Sequence, residues 1–226
     1  TDLAKLYSSI KNNETALECI KKALAISKPI DAYWEIGDSY EFMFAHYFEE
    51  EKDVFRLGLI SWFVEKKGVF YLLEALKNLK ENGYHNIKFV LAGDGPLKEQ
   101  YLEFIEKNDL GNNVDYIGKI NGPAKKAFFK SLDMFILPSI KLKNDQDGIP
   151  VVLMEAIAYS LPIISTNISG IPEICINDYN GKLIRERSSI EIYNSILELY
   201  NNKEKRKEFS LNSYELSKEY DIEMNS

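Results

Sequence analysis

The strongest constraint on the fold is a change in the hydrophobic pattern of the sequence at Val54, after which short apolar runs alternate with longer amphipathic stretches. The apolar runs, each of strand length, are Phe55–Trp62, Ile87–Ala92, Val114–Ile117, Met134–Leu137 and Pro162–Thr166. Helical periodicity indicates helices at Lys67–Glu81, Leu97–Asn108 and Pro123–Leu132, with others beginning at Pro150, near Ser189 and near Glu204. Apolar strands that alternate with helices predict a parallel sheet covered on both faces. We therefore expect an α/β, doubly wound, Rossmann-like domain over residues 54–226.

Residues 1–53 have a different composition, because of the 12 glycines and 7 prolines only Gly37 and Pro29 lie there. Helical spacing before Pro29, and again from about Asp31 to Glu50, predicts a helical hairpin. The second helix resembles the first helix of a tetratricopeptide unit, but an independent array needs at least about three repeats. We expect residues 1–53 to form a tetratricopeptide-like appendage or linker, and an ordinary packed hairpin is favoured over a peptide-binding array.

Composition excludes several classes of function. The net charge is -7 and there is no Lys/Arg run, which argues against binding to nucleic acid or to an anionic membrane. No apolar run approaches the roughly 20 residues of a transmembrane helix. Cys19 and Cys175 lie far apart without metal-binding spacing, and with only two histidines a structural zinc site is not expected. Free thiols indicate a reducing compartment, so we expect a cytoplasmic protein, with peripheral attachment to the inner face of a membrane as an alternative.

Ligands of parallel α/β sheets bind beyond the carboxyl ends of the strands, so the segments that follow the strands are the candidate site. They read EKKG (65–68), AGDGP (92–96), LPS (137–139), DGIPVVLMEA (147–156) and GIPE (170–173). Gly93 and Gly95 predict a tight turn into a helix, and strand–helix closure explains them as well as ligand contact does. Ser139 and the Gly170–Glu173 segment are interpreted as structural.

In this order, the five segments resemble the carboxyl-terminal domain of retaining, GT-B-fold glycosyltransferases of the glycogen-synthase-like superfamily, family 4. The resemblance covers about residues 54–224. It implies the donor-binding half of a hexosyltransferase-like enzyme that moves a sugar from a nucleotide diphosphate sugar to a glycan or lipid-linked acceptor, in polysaccharide or glycoconjugate biosynthesis. It implies no cofactor and no metal. Because residues 1–53 cannot form the acceptor-binding domain of such enzymes, we expect a truncated enzyme or a donor domain with a helical appendage.

The resemblance assigns a catalytic carboxylate pair to Asp147 and Glu155, which are eight residues apart. Glu155 would accept hydrogen bonds from the ribose hydroxyls, and Asp147 would face the donor sugar. The family usually has Glu at the first position, so Asp147 is one methylene shorter. The alternatives are an N-cap role for Asp147 and a solvated helix face for Glu155.

The same resemblance divides the remaining donor contacts between phosphate and nucleobase. Lys67 matches a phosphate-binding lysine, whereas the neighbouring Lys66 is expected to be exposed. Ile117 and Gly118 would frame the nucleobase through their backbone. The diphosphate would lie at the start of the helix that begins at Pro150, because the free N–H groups and the positive end of the helix dipole favour anions there. It would contact Gly148, Ile149, Val151 and Val152, with Gly93 and Gly95 nearby.

Trp62 is the main departure from the family pattern, because the family has a second phosphate-binding cation, an arginine, at this position. The donor could be held more weakly, another cation could substitute, or Trp62 could pack against the sugar; Trp62 could also be a core aromatic at a strand end. Arg185 and Arg187 lie too late in the chain to be assigned. A non-catalytic nucleotide-sugar-binding or interaction module is therefore the alternative function.

Overall fold

A computed structural model describes residues 54–142 and 148–220. The predicted helical appendage at 1–53, Asp147 and the last six residues lie outside the described residues.

Six strands form one sheet in the order β3-β2-β1-β4-β5-β6, and every neighbouring pair in it is parallel. The strands are β1 (Phe55–Trp62), β2 (Ile87–Asp94), β3 (Val114–Gly118), β4 (Met134–Leu137), β5 (Ile163–Thr166) and β6 (Gly181–Ile184). The expected doubly wound α/β domain is therefore confirmed, with five strands within two residues of the predicted bounds.

Seven α-helices connect and follow the strands within the described part of the chain. They are α1 (Val69–Glu81), α2 (Lys98–Lys107), α3 (Gly122–Lys130), α4 (Val151–Ala158), α5 (Ile171–Ile174), α6 (Ser189–Asn201) and α7 (Lys203–Glu219). The connections β1–α1–β2 and β4–α4–β5 run in opposite directions across the sheet, so right-handed crossovers place α1 and α4 on opposite faces. Helix α6 packs on α1 and α7 packs on α4, which completes the two outer layers.

Three elements differ from the sequence-based expectation, and the first is the one-turn helix α5, because the Gly170–Glu173 segment was interpreted only as structural. Strand β6 was not predicted, because this four-residue edge strand contains a glycine and a lysine and only half of it is buried. Lys67 was placed inside α1 but lies in a one-turn 3-10 helix, Glu65–Lys67, before it. That turn ends because Gly68 adopts a left-handed conformation with φ 64°.

The core lies on both faces of the sheet, between the central strands and helices that include α1, α3, α4 and α6. All four residues of β4 and all four of β5 are buried, as expected for strands covered on both faces. Gly58 in β1 has a specific packing role, since a Cβ atom there would lie 2.2 Å from Leu132 Cδ1 and 2.9 Å from Phe128 Cζ. The missing side chain lets α3 and the residues that follow it lie directly on β1.

No helix among residues 54–142 and 148–220 combines the length and the apolar character needed to cross a bilayer.

Candidate functional site

The sheet has a topological switch point between β1 and β4, because the chain leaves these neighbouring strands in opposite directions. A crevice opens at such a point, outside the carboxyl ends of the strands. The loops after β1 and β4 touch there, where the Ile140 N–H donates to the Lys66 carbonyl at 2.8 Å. Three loops line a pocket at this edge, formed by Lys66, Ser139, Ile140, Lys141, Gly148, Pro150, Ile168, Ser169 and Ile171.

The N-terminus of α4 is the first component of the site. Pro150 occupies its N-cap position, and no described side chain caps the helix. Asp147 lies outside the described residues, so its N-cap alternative stays a prediction. Gly148 is exposed, and a Cβ atom there would meet nothing within 4 Å. A helix start that no described side chain caps suits an anion, and the diphosphate position at this helix start stays a prediction.

Two lysines, Lys66 and Lys141, line the pocket beside this helix start. Lys66 and Lys67 are both half-buried, and Lys66 lines the pocket, so the expectation that Lys66 is exposed was wrong. The loop after β6 also reaches the rim, since Arg187 Nη2 donates to the Lys141 carbonyl at 2.9 Å. The Lys141 N–H in turn donates to Glu186 Oε2 at 2.7 Å. The sequence alone could not place Arg187, because its position depends on the unpredicted strand β6.

Trp62 is the last residue of β1 and 58% of it is exposed. Its register partner on β2 is Asp94. The alternative of a packed core aromatic is therefore wrong, and the site carries an accessible indole at the place where the family pattern has an arginine.

Gly93 and Gly95 pack against the end of β1. Their φ values are 133° and 147°, and a Cβ atom would lie 1.9 Å from the Ser61 carbonyl oxygen in one case and 2.6 Å from the Phe63 nitrogen in the other. Strand–helix closure therefore accounts for both glycines. Their contact with a ligand stays a prediction.

The end of β3 offers backbone groups, since the Ile117 side chain is buried and Gly118 adopts φ 74°. Next to them, Tyr116 donates its hydroxyl to the Gly93 carbonyl at 3.1 Å. Burial, followed by the charges of Asp94 and Glu99, raises the pKa of Tyr116, so its hydroxyl keeps its proton at neutral pH. Strand β3 lies two strand spacings from β1, about 10 Å along the same edge. The predicted nucleobase and phosphate positions are thus separate places on one edge.

Glu155 lies one turn inside α4, and 31% of its side chain is exposed. Its Oε1 is hydrogen-bonded and ion-paired with Lys125 Nζ on α3. The alternative of a solvated helix face is therefore wrong. The sequence did not reveal Lys125, because nothing in a single sequence connects residues 30 positions apart.

Several serine and threonine hydroxyl groups lie at or just after the carboxyl ends of β1, β4 and β5. Ser165 Oγ and Thr166 Oγ1, at the end of β5, donate to the carbonyls of Leu137 and Ser139 at 2.6 and 2.7 Å. By contrast, Ser61 Oγ and Ser139 Oγ are buried without a hydrogen-bond partner among the described residues. Ser139 was interpreted as structural, yet it lines the pocket. Within the described ranges, no group of three or more His, Cys, Asp or Glu side chains could hold a metal ion.

The chain is similar in sequence to proteins named as glycosyltransferases. The chain is 32% identical over 170 residues to an uncharacterized glycosyltransferase of Methanocaldococcus jannaschii, MJ1178, covering 75% of this chain and 45% of that protein. It is 35% identical over 132 residues to the amylovoran biosynthesis glycosyltransferase AmsK of Erwinia amylovora, covering 58% of this chain and 32% of AmsK. The chain thus spans less than half the length of these relatives.

The fold is similar to the crystal structure of Anabaena Alr3699/HepE in complex with UDP. The TM-score is 0.68 at 19% identity, over 79% of this chain and 48% of HepE. This similarity agrees with the GT-B-type, Rossmann-like fold. A family model described as glycosyl transferases group 1 matches residues 41–216, which is more than half of the sequence. The chain therefore belongs to the glycosyl transferases group 1 family.

Proposed function

We propose that the chain is the donor-binding half of a retaining, hexosyltransferase-like glycosyltransferase that takes a nucleotide diphosphate sugar as donor. The observation that carries the proposal is the crevice between β1 and β4, where the start of α4, which no described side chain caps, lies beside Lys66 in the pocket wall. A glycan or lipid-linked acceptor would bind through another domain. Relatives such as AmsK, named for amylovoran biosynthesis, support a role in polysaccharide assembly. The proposed location is the cytoplasm, with peripheral attachment to the inner face of a membrane as the alternative.

The donor would lie along the carboxyl edge of the sheet. Its diphosphate would rest on the N-terminus of α4 beside Lys67, and its nucleobase on the backbone at Ile117 and Gly118. The ribose would lie between these two ends, with its hydroxyls bound by Glu155. The sugar would face Asp147, which is outside the described residues.

We propose further that the nucleotide binds without a divalent metal, because the helix start and the lysines supply the positive charge that a diphosphate needs. Calorimetric titration with UDP, the ligand bound by HepE, is the first test. We expect equal affinities with EDTA and with magnesium. Strict dependence on magnesium would contradict the proposal.

The division of roles between the two carboxylates is tested by replacing each with its amide. Glu155→Gln should weaken binding of UDP, since losing a charged hydrogen-bond partner costs about 1.5–3 kcal/mol, or roughly tenfold to hundredfold in affinity. Asp147→Asn should leave binding of UDP unchanged, because UDP lacks the sugar. In the full-length protein, Asp147→Asn should instead reduce sugar transfer. Equal losses of UDP affinity in the two variants would show that the roles are assigned wrongly.

A non-catalytic nucleotide-sugar-binding or interaction module is the second candidate, favoured by the exposed Trp62 in place of a phosphate-binding arginine. Sugar transfer or donor hydrolysis by the full-length protein separates the two candidates. Tight binding of a nucleotide sugar with no turnover across a panel of acceptors would favour the non-catalytic module.

A further inference from the structure

The ion pair between Lys125 and Glu155 joins two helices that follow different strands of the sheet. Lys125 is the fourth residue of α3, the helix that follows β3, and Glu155 is the fifth residue of α4, the helix that follows β4. The pair therefore lies between the end of the sheet proposed for the nucleobase and the helix start proposed for the diphosphate. In a nucleotide, the ribose occupies this intermediate place.

A second contact, one turn further along α3 and at the C-cap of α4, supports the pair. Phe129, four residues after Lys125, stacks on Tyr159, four residues after Glu155, with ring centroids 5.1 Å apart and planes inclined by 12°. Residues four apart lie on the same face of a helix, so the two contacts together fix the rotation of α3 against α4. The position of Lys125 relative to Glu155 is thus determined by core packing and not only by the flexible lysine chain.

The surroundings of the pair make it more than a surface contact. The side chains of Lys125 and Glu155 are 32% and 31% exposed, so solvent screens the pair less than it would screen a fully exposed one. Lys125 binds Oε1, and an ionised carboxylate has about four acceptor positions on its two oxygens. Acceptor positions therefore remain for the two hydroxyls of a ribose.

We propose that Lys125 is a positioning residue that holds the Glu155 carboxylate in the orientation that receives the 2′- and 3′-hydroxyls of the donor ribose. The proposal rests on the ribose role proposed for Glu155 and adds the group that orients it. Lys125 then contributes to affinity only for ligands that carry these hydroxyls, which distinguishes it from a lysine that merely attracts phosphate and from one that merely stabilises the fold.

The test compares the affinities of UDP and 2′,3′-dideoxy-UDP, measured by calorimetry on the whole chain, in each variant. The wild-type protein should prefer UDP. Lys125→Met should reduce this preference about tenfold while the affinity for dideoxy-UDP stays the same, since the lost interaction involves only the hydroxyls. Lys126→Met, which removes the neighbouring half-buried lysine, is the matched control and should leave the preference unchanged. Lys125→Arg should retain most of it.

Any other result would contradict a specific part of the proposal. If Lys125→Met lowers the melting temperature but leaves the preference intact, the pair is structural only. If both ligands lose affinity equally, Lys125 acts on the phosphates. If Glu155→Gln itself leaves the preference unchanged, the ribose role of Glu155 is wrong and the proposal falls with it. Should Lys125→Met fail to fold, Lys125→Gln, which keeps a polar head group, makes the same comparison.

Discussion

Trp62 is the residue at which this chain departs most clearly from its family pattern, and the structure changes what the departure means. A buried Trp62 would have made any charged replacement destabilising. Because 58% of Trp62 is exposed at the end of β1, a charge can be introduced there without desolvation. The residue is therefore a suitable place to test how the crevice holds phosphate.

We predict that Trp62→Arg raises the affinity for UDP about tenfold, since a guanidinium can form paired hydrogen bonds with phosphate oxygens. The gain should shrink as salt is added, because it is electrostatic. The free energy of unfolding should change by no more than about 0.5 kcal/mol, as is usual for exposed sites. Calorimetry at two salt concentrations and chemical denaturation measure these effects.

Leu211→Arg is the matched control for Trp62→Arg. Leu211 is 67% exposed on α7, and Ser213, two residues later, donates to the carbonyl of Leu161, just before β5 begins. The control thus adds the same charge near the opposite edge of the sheet and should leave the affinity unchanged. A lower melting temperature for Trp62→Arg without a gain in affinity would show that the indole has a structural role.

Among the connecting elements, the loop after β1 illustrates how one glycine positions the site. At Gly68 the chain is left-handed, and a Cβ atom would lie 1.9 Å from the Pro138 carbonyl oxygen. The loop that carries Lys66 and Lys67 can therefore approach the loop after β4 only because residue 68 has no side chain. Gly83, after α1, is also left-handed with φ 87°, but a Cβ atom there would meet nothing within 4 Å.

We predict that Gly68→Ala destabilises the protein by about 1–3 kcal/mol more than Gly83→Ala does. Both substitutions force alanine into a left-handed conformation, which costs roughly 1–2 kcal/mol, but only the first adds a backbone collision. Chemical denaturation measures the difference. Gly68→Ala should also weaken UDP binding, because the two lysines move away from α4. Equal destabilisation by the two substitutions would show that the loops separate without cost.

The free energy of unfolding depends on pH through groups whose pKa differs between the folded and the unfolded chain. The buried thiol of Cys175 is such a group. Burial raises the pKa of Cys175 to about 12. In the unfolded chain the thiol ionises near pH 8.5. Its contribution to stability is therefore fully present below about pH 8.5 and is lost as the pH rises towards 12, at about 1.4 kcal/mol per pH unit.

We predict that Cys175→Ala flattens the decline in the free energy of unfolding between about pH 8.5 and 11, although it lowers stability at neutral pH by removing a buried side chain. Comparing the variants in a Cys19→Ser background removes the second thiol. Denaturation curves at several pH values supply the measurement. Parallel declines with and without Cys175 would show that the thiol does not contribute to alkaline destabilisation.

The sequence by itself determined the fold class and predicted the edge of the sheet at which a ligand would bind. Apolar runs such as Met134–Leu137 can be recognised locally in the sequence. A strand that is buried on both faces is typical of a parallel sheet covered by helices. The carboxyl ends of parallel strands share one edge, so residues at or after the ends of different strands, including Lys67, Ile117 and Glu155, are predicted to lie near this edge.

Only the tertiary structure decided which side chains are exposed at that edge and which are in contact with one another. The exposure of Trp62, the place of Lys66 in the pocket wall and the pairing of Lys125 with Glu155 all depend on how closely separate elements approach one another. That approach is set by packing, as where α3 lies on Gly58 and the loop after β4 lies on Gly68. A periodic pattern reports which face of an element is buried, but it does not report which residue of another element lies against it, because that contact forms only when the chain folds.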